Sequence, residues 1–173
     1  MAECTKFKEH YITFDSSDRN RALWPSTSQF QINLSSNITY DDAPEDNSYE
    51  GVRRVEVIDV MFPNKNHVIS EMYLYLCIPE IGGILDATNL TGGTALAKLI
   101  PTRLIGDFVQ VHFEVGMRPT KRFDFDGLDI STVTIEFRKK DGTLFDFGTD
   151  TTPPSAPRLD LQTAVTLRIM TQW

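Results

Sequence analysis

Hydrophobic and polar positions alternate with a period of two along most of the chain, and no stretch sustains the 3.6-residue period of an amphipathic helix. Residues 10–14 set Ile12 and Phe14 against Tyr11, Thr13 and Asp15. In Phe30-Gln31-Ile32-Asn33-Leu34 the apolar side chains share one face and the amides the other. Longer runs cover 55–62, stopped by Pro63, 72–78, stopped by Pro79, and 108–115. Shorter ones cover 123–126, 133–138, 144–147 and 165–170. Each has the length and the β-branched or aromatic content of a half-buried strand. Turn formers such as Pro63-Asn64, Gly82-Gly83, Gly92-Gly93 and Gly106-Asp107 separate them. Asp141-Gly142 suits the positive φ of a tight turn and predicts an antiparallel hairpin over 132–147. The pattern predicts an all-β fold, an antiparallel β-sandwich with long loops and little helix, at most a turn within 94–100.

Three segments break the alternation. Residues 16–29 form a long polar connection carrying Asp18, Arg19, Arg21, Trp24 and Pro25. Residues 35–51 hold Asp41, Asp42, Glu45, Asp46 and Glu50 and no base. Residues 149–158, with Pro153, Pro154 and Pro157, read as an extended connector to the last strand. No repeat and no dividing linker is visible. Residues 1–173 are therefore expected to form a single β-sandwich domain, with an N-terminal tail at 1–9.

Composition narrows the picture. The 173 residues carry 17 basic and 24 acidic side chains, a net charge of −7. A chain of this size buries roughly 70% of its unfolded surface and needs no disulfide or metal to hold a core. The acidic balance argues against nucleic acid or an anionic membrane as partner, since both require an excess of Lys and Arg. Most of the charge lies in the one loop from Asp41 to Glu50, which is either a solvated loop or a contact for a basic partner surface. Neither a secretory leader nor an apolar stretch of about 18 residues is visible, so a protein made in the cytosol with no transmembrane segment is expected. Cys4 and Cys77 could pair, but free thiols in a reducing compartment are the expected state.

The search for chemistry returns little. His10, His67 and His112 form no metal-spaced set with one another or with a carboxylate. Asp124, Asp126, Gly127 and Asp129 do not fit a calcium loop. There is no Gly-x-Ser-x-Gly, and the glycine pairs lack the Lys-Ser/Thr of a phosphate cradle. The expectation is a protein that is not an enzyme and takes no cofactor or metal. A carbohydrate-binding module is an alternative, with Tyr73, Tyr75 and Gln110 as its visible candidates. Trp173, at the end of the sequence, either packs on a neighbouring chain or plugs its own sandwich.

The segment from Tyr11 to Leu34 carries Asp15-Ser16-Ser17-Asp18-Arg19, then Trp24-Pro25 and Phe30, between two strands. With the strand 52–62 ending in Pro63-Asn64, the run 128–137, Asp141-Gly142 and the final strand 165–169, it resembles the small or minor capsid proteins of nucleocytoplasmic large DNA viruses (giant viruses, phycodnavirus-like) and their virophages. The likeness spans nearly the whole chain in short pieces of distinctive order. It implies a single jelly roll in the virion. There the chain would link or support major capsid protein capsomers, contact other minor capsid proteins, or self-associate as a pentameric penton at a vertex. It implies no catalytic set. Within the motif, Asp15 or Asp18 is expected to accept turn N–H groups while the Arg19 fork reaches a carboxylate or carbonyls. Trp24-Pro25 would pin the connection to the sandwich. The motif is thus a folding clamp, or else Arg19, Arg21 and Trp24 face a neighbouring subunit.

Overall fold

The computed structural model describes residues 6–34, 49–124 and 126–172. Their strands are β1 (Phe7–Asp15), β2 (Gln29–Asn33), β3 (Tyr49–Pro63), β4 (Leu74–Cys77), β5 (Ala97–Leu99), β6 (Arg103–Ile105), β7 (Phe108–His112), β8 (Thr120–Arg122), β9 (Leu128–Ile130), β10 (Thr132–Arg138) and β11 (Ala164–Gln172). They build two antiparallel sheets. One runs β1-β11-β3-β7-β6, with β8 and β9 also paired to β3; the other runs β2-β10-β4-β5. The fold is an all-β antiparallel sandwich.

The pairing has a simple logic. With β6, β8 and β9 set aside, the first strand pairs with the last and so on inward: β1 with β11, β2 with β10, β3 with β7 and β4 with β5. The chain is one long antiparallel ribbon. It is rolled so that β11 also pairs β3 and β10 also pairs β4. That connectivity is a jelly roll. The alternation seen in the sequence fills the space between the sheets: in β11, Val165, Leu167 and Ile169 point inward, against Phe14, Phe62 and Phe137. In β3 the register shifts between Thr166 and Leu167, and Ile58 is the extra residue of a bulge.

Four expectations change. The tail is shorter than 1–9, because pairing starts at Phe7 against Gln172. The turn at Asp141-Gly142 forms, with Gly142 at φ +89° and Asp141 Oδ1 accepting from Thr143 N at 2.9 Å. Its returning arm, however, is not a strand. It makes one bridge, Arg138 to Leu144, and one bond, Phe145 N to Phe137 O at 2.9 Å, before Phe145 and Phe147 turn into the core. The cause is competition: β2 already occupies that edge of β10 from Glu136 backward. The helical turn lies earlier than expected, at α1 (Leu90–Thr94), capped by Asn89 Oδ1 accepting from Gly92 N at 2.7 Å. Residues 97–99 are strand, because Ala97 and Leu99 are buried around an exposed Lys98. Phe123 and Asp124 lie outside any strand, in a turn closed by Gly127 N to Asp124 O at 2.9 Å; the strand in this region is β8, just before them.

Candidate functional site

The motif residues between β1 and β2 converge on one side chain. β1 ends at Asp15, whose Oδ1 accepts from Ser17 N at 2.8 Å and starts a single 3-10 turn. That turn delivers Arg19 to the interior. Its Nε donates to Trp24 O at 2.7 Å, and Nη2 donates to Pro25 O at 3.3 Å. Nη1 donates to Ser16 O and to Gln162 Oε1 at 2.9 Å. Nη2 also meets Asp150 Oδ2 at 2.7 Å, the two side chains being 0% and 1% exposed. One guanidinium thus joins the start of the 16–29 connection, its Trp24-Pro25 end, the Pro-rich connector and the entry to β11.

The partners are themselves held. Asp150 Oδ1 accepts from Thr151 N and Arg158 N, both at 2.7 Å, and Gln162 Nε2 donates to Asp150 Oδ2 at 3.2 Å. Ser16 Oγ donates to Gln162 Oε1 at 2.7 Å and accepts from Thr163 N at 2.8 Å. Burial pushes the Asp150 carboxyl up. The Arg158 N–H, Arg19, Gln162 and the Thr151 N–H outweigh it and hold the carboxyl down at about 2.

The structure brings Asp15, Arg19, Trp24 and Pro25 together, and it adds Arg21, whose Nη1 donates to Thr151 O at 2.9 Å and Nη2 to Ser155 O at 2.7 Å. Arg21 therefore ties down the Pro-rich connector. Trp24 is half-buried against the main core. Arg19 is not a contact residue, since its fork is spent inside the chain. Asp18 is exposed at the turn's end, its carboxyl pushed up by desolvation and by the Asp15 charge. Sequence reasoning missed Asp150, Gln162 and Thr163, the distant half of the clamp. The Pro-rich neighbourhood of Asp150 read only as connector. Glu50 is exposed at the start of β3. Asp41, Asp42, Glu45, Asp46, Cys4 and Trp173 lie outside the described residues.

The other candidates separate. Tyr73 and Tyr75 meet edge to face at 5.1 Å on the β4 side, with Tyr75 Oη accepting from Asn89 Nδ2 at 3.3 Å. Gln110 is on β7 in the other sheet, donating to Asp59 Oδ1 at 2.9 Å. The three candidates of the alternative carbohydrate-binding reading are therefore not one site, because a sandwich puts its two outer faces on opposite sides. Cys77 is buried, and burial, then the Glu136 charge, push its thiol up to about 11. His112 Nδ1 lies 3.4 Å from Asp59 Oδ1 on an exposed edge. Among the described residues no group of three metal-binding side chains occurs, and no helix is long and apolar enough to cross a membrane.

The surface is marked by apolar side chains on loops. Leu23 is 72% exposed in the 16–29 connection, Met72 80% before β4, Leu90 90% on α1 and Val115 83% after β7. These side chains lie on connections that follow different strands.

The comparison with protein families gave no match, nor did that with curated proteins. Among solved structures, a chain in the crystal structure of tomato aspermy virus is similar at a TM-score of 0.31 and 13% identity, over 95% of this chain and 78% of that chain.

Proposed function

We propose that this chain is a structural, non-enzymatic minor capsid protein of a large icosahedral DNA virus, located in the virion and linking or supporting major capsid protein capsomers. The observation that carries the reading is the exposure of Leu23, Met72, Leu90 and Val115 on four separate connections of the jelly roll. An enzyme or a module for a small ligand concentrates its apolar contacts in one concave site. A protein that cements a lattice touches several neighbours through modest patches, and avidity across the lattice makes the sum strong. The resemblance of the Asp15-to-Phe30 segment to minor capsid proteins points the same way. In this reading the clamp is what keeps the connection carrying Leu23 in register with the sandwich.

Purified virions test the proposal. The protein should be present in fixed ratio to the major capsid protein and should resist gentle washing. A cryo-EM map of the particle then distinguishes a position beneath or between capsomers from five copies around a vertex, which would make it the penton. Loss of the chain on washing, or its absence from the shell density, overturns the capsid assignment.

A further inference from the structure

On a chain of net charge −7, the outer face of the larger sheet gathers arginines. Arg54 of β3 and Arg122 of β8 stand directly opposite one another, and Met170 of β11 opposes Arg54 on its other side. Like charges placed across a strand pair destabilise the sheet. One carboxylate partly offsets them: the buried Glu56 pairs with Arg54, with Arg118 at 3.6 Å and with Arg168 at 3.1 Å. Arg168 also pairs with Glu9. The balance still favours the cations. Arg54 Nε is buried without a hydrogen-bond partner, and the exposed Arg122 side chain has no ion pair among the described residues.

Two depressions meet at Arg54. One, of about 310 Å³, is lined by Phe7, Arg53, Arg54, Arg122, Phe123 and Met170. The other, of about 140 Å³, has Arg118, Arg168 and Val115 at its walls and Glu56 among its lining. Apolar surface and guanidinium forks therefore alternate across one face, with Phe7 51% exposed at its edge.

We propose that this face docks an acidic segment of a partner protein, carboxylates pairing with Arg54, Arg122 and Arg118 while an apolar side chain sits between Phe7, Phe123 and Met170. Guanidinium forks match carboxylates bidentately. A polyphosphate is the poorer occupant: its many charges meet the repulsion of the whole acidic chain, whereas a short segment carries few. The surface is independent of whether the chain resides in a virion.

The test uses the full chain and a fluorescent peptide with two glutamates on each side of a phenylalanine, followed by anisotropy. Saturable binding that weakens as ionic strength rises is expected. Arg122→Glu should weaken it by about tenfold or more, and Phe7→Ser should weaken it as well. Lys140→Glu, an equal charge change in the turn after β10, should leave it unchanged. Arg122 and Phe7 are exposed, and melting curves will show that these variants fold. The proposal is overturned if wild-type protein does not bind, if Lys140→Glu weakens binding as much as Arg122→Glu, or if a single-stranded oligonucleotide binds this face more tightly than the peptide.

Discussion

Arg19 and Asp150 lie 131 positions apart in sequence and meet at 2.7 Å with almost no solvent on either side chain. The pair closes the ribbon at the end where β1 leaves and β11 begins. In a jelly roll these two strands are neighbours, so the loops that leave and enter them must share a small space. The chain fills that space with hydrogen-bonded polar groups centred on Arg19 and Asp150, although the buried Thr27 Oγ1 beside them has no partner. Every N–H direction of the Arg19 fork finds an oxygen, which is the condition for burying a charge at tolerable cost.

Removing one partner leaves the other buried and unpaired. Arg19→Met should therefore lower unfolding free energy by about 3–5 kcal/mol, read from urea denaturation. Arg19→Lys should recover little of this, because an ammonium cannot reach Trp24 O, Ser16 O, Gln162 and Asp150 together. A loss near zero for Arg19→Met would show that the clamp is ornamental.

The same pair sets an acid response. Asp150 titrates at about 2 in the folded protein against an ordinary 3.8. A depressed carboxyl stabilises the fold above the unfolded value, and that stabilisation disappears as pH falls through the folded one. On the order of 2 kcal/mol should be lost between roughly pH 4.5 and pH 2. Denaturation of wild type and Asp150→Asn across that window checks it: the variant should be less stable at pH 5, and the gap should narrow toward pH 2.

Period-two alternation made β1, β2, β3, β7, β10 and β11 legible, because each has one face in the core and one outside. It did not reveal β5, β6, β8 and β9. Three residues are too few to show a period, and these strands exist because a longer neighbour offers them an edge. The near half of the clamp was legible for a similar reason: Asp15, Arg19 and Trp24 stand within ten positions, and an arginine beside a turn has few places to go. Asp150 and Gln162 carry no local sign of their role. Only the closing of the ribbon, which is a long-range event, brings them to Arg19.

Cys77 should be chemically quiet. With its thiol at about 11, the thiolate is on the order of one molecule in a thousand at pH 8. Alkylation by iodoacetamide, mapped to the Cys77 peptide, should be very slow in the native protein and rapid in urea. Rapid native labelling would mean that β4 opens far more often than its buried neighbours suggest.

The arm from Leu144 to Phe147 is held by packing more than by the ladder. Its pairing to β10 is one bridge and one hydrogen bond, and Phe147 anchors it to the core through rings at 5.5 Å from Phe137 and 5.8 Å from Phe62. Phe147→Ala removes those contacts and leaves a cavity, and it should lower stability by about 3–5 kcal/mol; Phe147→Leu, which keeps most of the volume, should lose less. The effect should also be local. In Phe147→Ala the amide of Phe145, bonded to Phe137 O at 2.9 Å, should exchange its hydrogen much faster, while the amides of β11 retain their protection relative to the global unfolding rate. Equal acceleration in β11 and the arm would mean that the arm unfolds only with the whole sandwich, and that the ladder rather than the aromatic cluster is what fastens it.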